Sequence, residues 1–353
     1  MQRRTFLTTT GVVLLAGCST QPTTETPTAD PTERPTTATS DATDTPTEPA
    51  EPTDTPDDAT APIERAQTAL VATVEAFLAA SDRDDPDFGT DVAGDATDFD
   101  PKPAITELAT AEAAIADAER LASPAQAETA ETLRLTAQFL DDTIALQPRH
   151  VRLYTRVREM ERLFYGDRQL RRTRDRVQAL RDEIADLEPA HQRLRSQLRA
   201  LDSERMQRVR ALSAQQLERR VGLYEGEREA AAVVRERFRR MVSARRAFDE
   251  GQSRDAGGTR LEQAQNSFEA ARSEFSGAGS YQSGVEPPAS YRPVVRRSTC
   301  YCETMARASL RFREATTARR NGNDDEAERL RTRARRAEND LSECNLRGQN
   351  YKF

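Results

Sequence analysis

The side chains with the widest chemical repertoire in this 353-residue chain are four cysteines and two histidines, and their spacing limits what they can do. Gly322 stands 20 residues after Cys302 and 22 before Cys344. An antiparallel hairpin turning at Gly322 therefore brings those two cysteines to one level. Ala327, Leu330, Ala334, Ala337, Leu341 and Cys344 alternate spacings of three and four, which turns Cys344 toward the facing helix. The opposite stripe is Tyr301, Met305, Ala308, Phe312 and Ala315, with Cys302 at its edge. This predicts a disulfide between Cys302 and Cys344, with Cys300 as the alternative partner. Closing a loop of that length contributes about 3 to 4 kcal/mol in the chain-entropy model. Three thiols with no suitably spaced histidine do not make a zinc site.

His191 lies on a heptad stripe, and His150 is the other histidine. A lone polar residue at such a position suits a register or carboxylate-pairing role better than a metal-binding one. The run Asp82, Asp84, Asp85, Asp87, Asp91, Asp95, Asp98 and Asp100 raises calcium, which takes clustered carboxylates. An EF-hand centred on Gly89 would need acids where Pro86 and Phe88 stand, so a solvated acidic loop is expected. No nucleophile elbow, phosphate-binding glycine loop or paired-histidine zinc motif occurs. The expectation is a non-enzymatic chain without a cofactor, metal or small-molecule substrate.

The elements that carry these residues read as helix throughout. Alanine, arginine, glutamate and leucine recur, whereas isoleucine is confined to Ile63, Ile105, Ile115, Ile144 and Ile184, a composition that favours helix over strand. The fold class predicted is all-α: a helical bundle with a long coiled-coil-like segment and C-terminal helical hairpins, preceded by a disordered stalk. The stalk spans 19–62, with fifteen threonines, nine prolines and ten acids against the single Arg34, and nothing large enough to bury. An acidic helical segment follows over 63–146, then long arginine-rich helices over 147–251, then the hairpins over 252–353. The seam Val177, Leu180, Ile184, Leu187, His191, Leu194, Leu198 and Leu201 has coiled-coil spacing, with Pro189 predicted to kink it rather than turn a hairpin. Gly166, Gly222 and Gly226 are further candidate bends. The Gly- and Pro-rich stretch 277–298 is the longest expected loop of the folded part and a candidate contact site.

Residues 1–18 form a short export peptide. Arg3 and Arg4 precede an apolar run from Phe6 to Ala16 that falls short of the roughly 18 to 20 residues a bilayer span needs. The Arg-Arg-Thr-Phe-Leu run resembles the twin-arginine export signal, and Leu15-Ala16-Gly17-Cys18 resembles a lipobox, which implies lipid attachment at Cys18. Among the 52 basic residues only Lys102 and Lys352 are lysine. With the acidic threonine-rich stalk, that usage resembles exported lipoproteins of halophilic archaea. The localisation implied is the outer face of the cytoplasmic membrane, lipid-anchored and extracytoplasmic. In the C-terminal part Ala264, Phe268 and Ala271, with Ala315, Gly322, Ala327 and Ala334, resemble tetratricopeptide hairpins. Ala264 and Ala327 lie 63 residues apart, which does not fit the regular 34-residue period of that family.

The net charge of −7 hides a strong polarity. Residues 63–142 hold eighteen acids and five bases, whereas 143–353 hold 31 acids and 44 bases. The halves cancel if they pack together. In molar salt the Debye length of about 3 Å leaves direct contacts alone to act. Two functions fit: a tethered scaffold whose helices bind another envelope protein or itself, or a module binding a polyanion such as acidic glycan, anionic lipid or nucleic acid. A solute-binding lipoprotein is a third class, disfavoured because it needs alternating strands and helices.

Overall fold

The structure, a computed structural model, describes residues 58–81, 84–166, 168–280, 286–344 and 346. Among these the chain is all-α, with no strand. Helices α1 (Thr60–Leu78) and α2 (Lys102–Leu121) pair, and α2 leads to the 35-residue α3 (Ala127–Glu161). A π-turn at Arg162–Gly166 separates α3 from α4 (Leu170–Ala185), which is followed by α5 (Glu188–Ala200) and the single turn α6 (Ser203–Met206). The 43-residue α7 (Ala214–Ala256) runs on to α8 (Leu261–Ser280), α9 (Arg292–Arg320) and α10 (Asp324–Asn339). The pairs α7–α8, α8–α9 and α9–α10 pack as successive hairpins.

Each boundary has a local cause. The α7 start is a capping box, in which the Ser213 hydroxyl and the Gln216 side chain satisfy each other's backbone N–H groups. At the α9–α10 turn Gly322 takes φ +75°, a left-handed conformation that glycine adopts without steric cost, and Asn323 caps α10. Pro189 sits in the first turn of α5, where its missing N–H costs nothing. The two helices flanking it both pack on α3 and α7, so the chain breaks at Asp186–Leu187 and continues rather than folding back.

The main core cluster takes in α1 and α10 alike, and Ala59, Ala118 and Ala130 form a second, small one. The divisions expected after residues 146 and 251 fall inside α3 and α7, which run unbroken through Pro148, Gly222 and Gly226. Stalk residues 19–57 lie outside the described residues, and 60–62, expected as its end, form the first turn of α1. The loop expected over 277–298 shortens, because α8 extends to Ser280 and α9 starts at Arg292. The heptad seam is a core-facing stripe: Leu180, Leu187, His191, Leu194 and Leu201 are all buried within the bundle.

The disulfide expectation needs correction. Cys300 pairs with Cys344, and Cys302 is a free, fully buried thiol. Residues two apart on a helix point about 200° from each other, so the two candidates cannot both face α10. Cys302 faces α8, its Cβ only 3.3 Å from where a Cβ on Gly279 would sit, and burial raises its pKa to about 12. Peptide mapping of the unreduced protein should therefore yield a Cys300–Cys344 pair, with Cys302 alkylated only after unfolding. Reducing the bond should lower stability by about 4 kcal/mol for its 44-residue separation.

Candidate functional site

The surface of the bundle is charged. Ile105 on α2, half exposed, is the one large hydrophobic side chain left open among the described residues. On α3, Arg149, Arg152, Arg156 and Glu159 follow spacings of three and four and so share a face. The antiparallel α4 sets Arg172, Arg176 and Glu183 against it, and a groove runs between the two helices. One depression of about 270 Å³ is lined by Arg149, Arg152 and Arg156 with Glu183 and Asp186. The next, of about 440 Å³, is lined by Arg162, Arg172 and Arg176 with Glu159 and Asp175. Each holds three arginines against two acids.

Ion pairs stitch the groove across its width. Arg176 reaches Glu159 at 2.7 Å, and Arg156 reaches Glu159 at 3.4 Å and Glu183 at 3.5 Å. Arg149 donates to the Asp186 carbonyl at 2.6 Å. Arg152 and Arg172 have no partner among the described residues, so each depression keeps a free guanidinium. A planar guanidinium offers paired N–H donors that match carboxylate or phosphate oxygens.

Beneath this face lies a polar cluster closed to solvent. His150 on α3 and His191 on α5 approach through their Nε2 atoms at 3.2 Å. On its other side His150 Nδ1 lies 2.9 Å from Glu227 Oε2 on α7, and its ring stacks on Tyr224 at 4.5 Å. Glu227 also accepts the Gly94 N–H at 2.6 Å and the Ser290 hydroxyl at 3.2 Å. Gly94 lets the chain approach closely: a Cβ there would stand 3.1 Å from the His150 carbonyl and 3.2 Å from the Glu227 carboxylate, tighter than most side-chain contacts. The Tyr224 hydroxyl donates to Gln147 at 3.0 Å, and burial holds its pKa well above the ordinary phenol value. One turn earlier on α7, the buried Arg220 donates to the carbonyls of Val92 and Asp91 and lies over the rings of Phe77 and Phe88.

The two Nε2 atoms share one hydrogen bond, and His191 Nδ1 is left buried without a partner. Burial, then His150 and the surrounding Arg228, Arg195 and Arg149, push the His191 pKa down to about 3. The cluster is thus a fastener of α3, α5, α7 and the acidic loop. No group of three or more metal-ligating side chains that could hold a metal occurs among the described residues.

Of the residues expected to act, Arg3, Arg4 and Cys18 lie outside the described residues, as does Asp82 of the acidic run. In the rest of that run, Asp87 pairs with Arg219 at 3.1 Å and Asp91 Oδ2 accepts the Asp87 N–H at 2.7 Å. Cys302 and Cys344 are not joined. The partner of His191 is the other histidine, with the carboxyl one step further on. The groove was missed as a site, although its signal, arginine at 149, 152 and 156, was present as a helical stripe within a basic segment. Comparisons with protein-family models, with curated proteins and with solved structures find no match.

Two outcomes are expected. Because the folded state depresses the His191 pKa below 6.5, the unfolded chain takes up that proton first. The stability this residue contributes is complete above pH 6.5 and drains as pH falls toward 3, by up to about 1.4 kcal/mol per unit. Urea titrations across that range should show the slope, and His191→Gln should flatten it. Glu227→Ala, which strands the Gly94 and Ser290 donors, should cost about 3 kcal/mol in the same measurement at pH 7.

Proposed function

We propose that the chain is a non-enzymatic binding module, tethered through lipid on Cys18 to the outer face of the cytoplasmic membrane, whose folded body takes an anionic polymer in the α3–α4 groove. The observation that carries this reading is the pair of depressions with three arginines against two acids, each retaining an unpaired guanidinium. Arg149 to Arg162 spans roughly 20 Å at 1.5 Å per residue, a length suited to several repeats of a charged polymer rather than one small ion. Acidic surface glycan is the chemistry that fits an exported, membrane-facing protein. The tether rests on Arg3, Arg4 and the Leu15-Ala16-Gly17-Cys18 run.

The scaffold reading, in which heptad stripes dock on another envelope protein or on a second copy, would have to use charged surface. Its seam from Val177 to Leu201 is turned inward against α3 and α7, and Ile105 offers little apolar area by itself.

Calorimetric titration with a uronate polymer should show binding that weakens steeply as salt rises, because released counterions drive it. Arg152→Gln and Arg172→Gln should each weaken binding several-fold and reduce the salt dependence by about one ion, with melting temperature unchanged. Binding that ignores salt and both substitutions would point to the scaffold reading. In cells, Cys18→Ala should release intact protein into the medium; retention would require a second attachment.

A further inference from the structure

The α3–α4 groove is not evenly charged along its length. Its middle is a ladder of matched side chains, in which Glu159 takes Arg156 at 3.4 Å and Arg176 at 2.7 Å, and Glu183 takes Arg156 at 3.5 Å. Two guanidiniums thus face two carboxylates, and this stretch has little charge left for an anion. Beyond the ladder, Arg149 and Arg152 stand with Asp186 at one end, and Arg162 and Arg172 with Asp175 at the other. Each end keeps an excess of one positive charge. Arg152 and Arg172 are the exposed members without an ion pair or hydrogen bond among the described residues, so the excess centres on them.

The register of the two helices fixes how far apart these ends lie. α3 and α4 run antiparallel, and the Glu159–Arg176 pair sets those two residues at one level. One turn back along α4, Arg172 is level with Leu163, which lines the same depression. From Arg152 to that level is about 16 Å of helix at 1.5 Å rise per residue. A guanidinium holds one carboxylate through its paired N–H donors. A single acidic sugar therefore reaches one end of the groove or the other. A ligand that engages both ends makes its second contact intramolecularly, and that gain vanishes where the connecting chain is too short to span the sites.

We infer that the groove is a two-point site for an extended acidic oligosaccharide, which sets one carboxylate on Arg152 and another on Arg172 and lays the sugars between them across the neutral ladder. The inference rests on the reading of this groove as a polyanion site and adds to it a minimum length of ligand. Long acidic chains are selected over short acidic sugars by reach, with no difference in the chemistry of the carboxylate.

The test is calorimetric titration of the full chain with digalacturonate, hexagalacturonate and polygalacturonate at one fixed salt concentration. Extended hexagalacturonate exceeds the spacing, whereas digalacturonate falls well short of it. Arg152→Gln and Arg172→Gln should each weaken hexagalacturonate about tenfold, the loss of one of two linked contacts, and digalacturonate by no more than about twofold, because the other depression still takes it. Arg181 is exposed and points about 140° away from Arg176 around α4, so Arg181→Gln should leave both oligomers unchanged. Losses that are equal for the two oligomers, or that Arg181→Gln reproduces, would overturn the two-point inference while leaving the polymer reading in place, since attraction by overall charge produces them. Absence of saturable polygalacturonate binding would overturn both.

Discussion

The structure hangs on the charged side chains that α7 buries. Arg220, Glu227 and Arg237 lie on this one helix and are almost wholly enclosed. A charged group taken out of water destabilises a fold by several kcal/mol unless its donors or acceptors are matched, so each dictates what must pack around it. Arg220 draws in the carbonyls of Asp91 and Val92, and with them the acidic loop after α1. Glu227 gathers Gly94, His150 and Ser290 from three separate stretches of chain. Arg237 donates to the Val295 carbonyl and to the hydroxyls of Ser298 and Thr299, which sets α9 against α7.

The same logic closes the other long helix. Glu161, fully buried at the end of α3, accepts both arms of Arg297 at 3.0 and 2.9 Å, and so joins α3 to α9. The polar network therefore chooses which helices meet, and the apolar stripes fill the space once they do. It also explains the surface. With the apolar seam and the matched charges both committed inside, arginines in excess of their acids are left along the α3–α4 groove.

A heptad seam is ambiguous in this setting. The spacing from Val177 to Leu201 serves a two-stranded coiled coil or the inward stripe of a bundle equally well, because both require one apolar face repeating about every 3.5 residues. Which occurs depends on whether other helices of the same chain offer covering surface. Here α3 and α7 do so, across the break at Asp186–Leu187. His191 fits that outcome: in place of setting register between two long helices, it meets His150, whose other ring nitrogen lies 2.9 Å from Glu227 on α7.

Helix was legible residue by residue, because propensity and a 3.6-residue period act over one or two turns. The hairpin at Gly322 was legible for the same reason, since a left-handed glycine before a capping asparagine is a local signal. The presence of a disulfide to Cys344 could be anticipated, but its partner could not. Cys300 and Cys302 share a level on α9, and only the position of α8 decides which of them faces away from α10. Likewise Glu227 stands 77 residues from His150, and nothing in either neighbourhood names the other. Local sequence determined that these segments are helical and which face of each is apolar. The pairing of their buried charges depends on contacts between residues far apart in the chain, so the tertiary structure alone decided it.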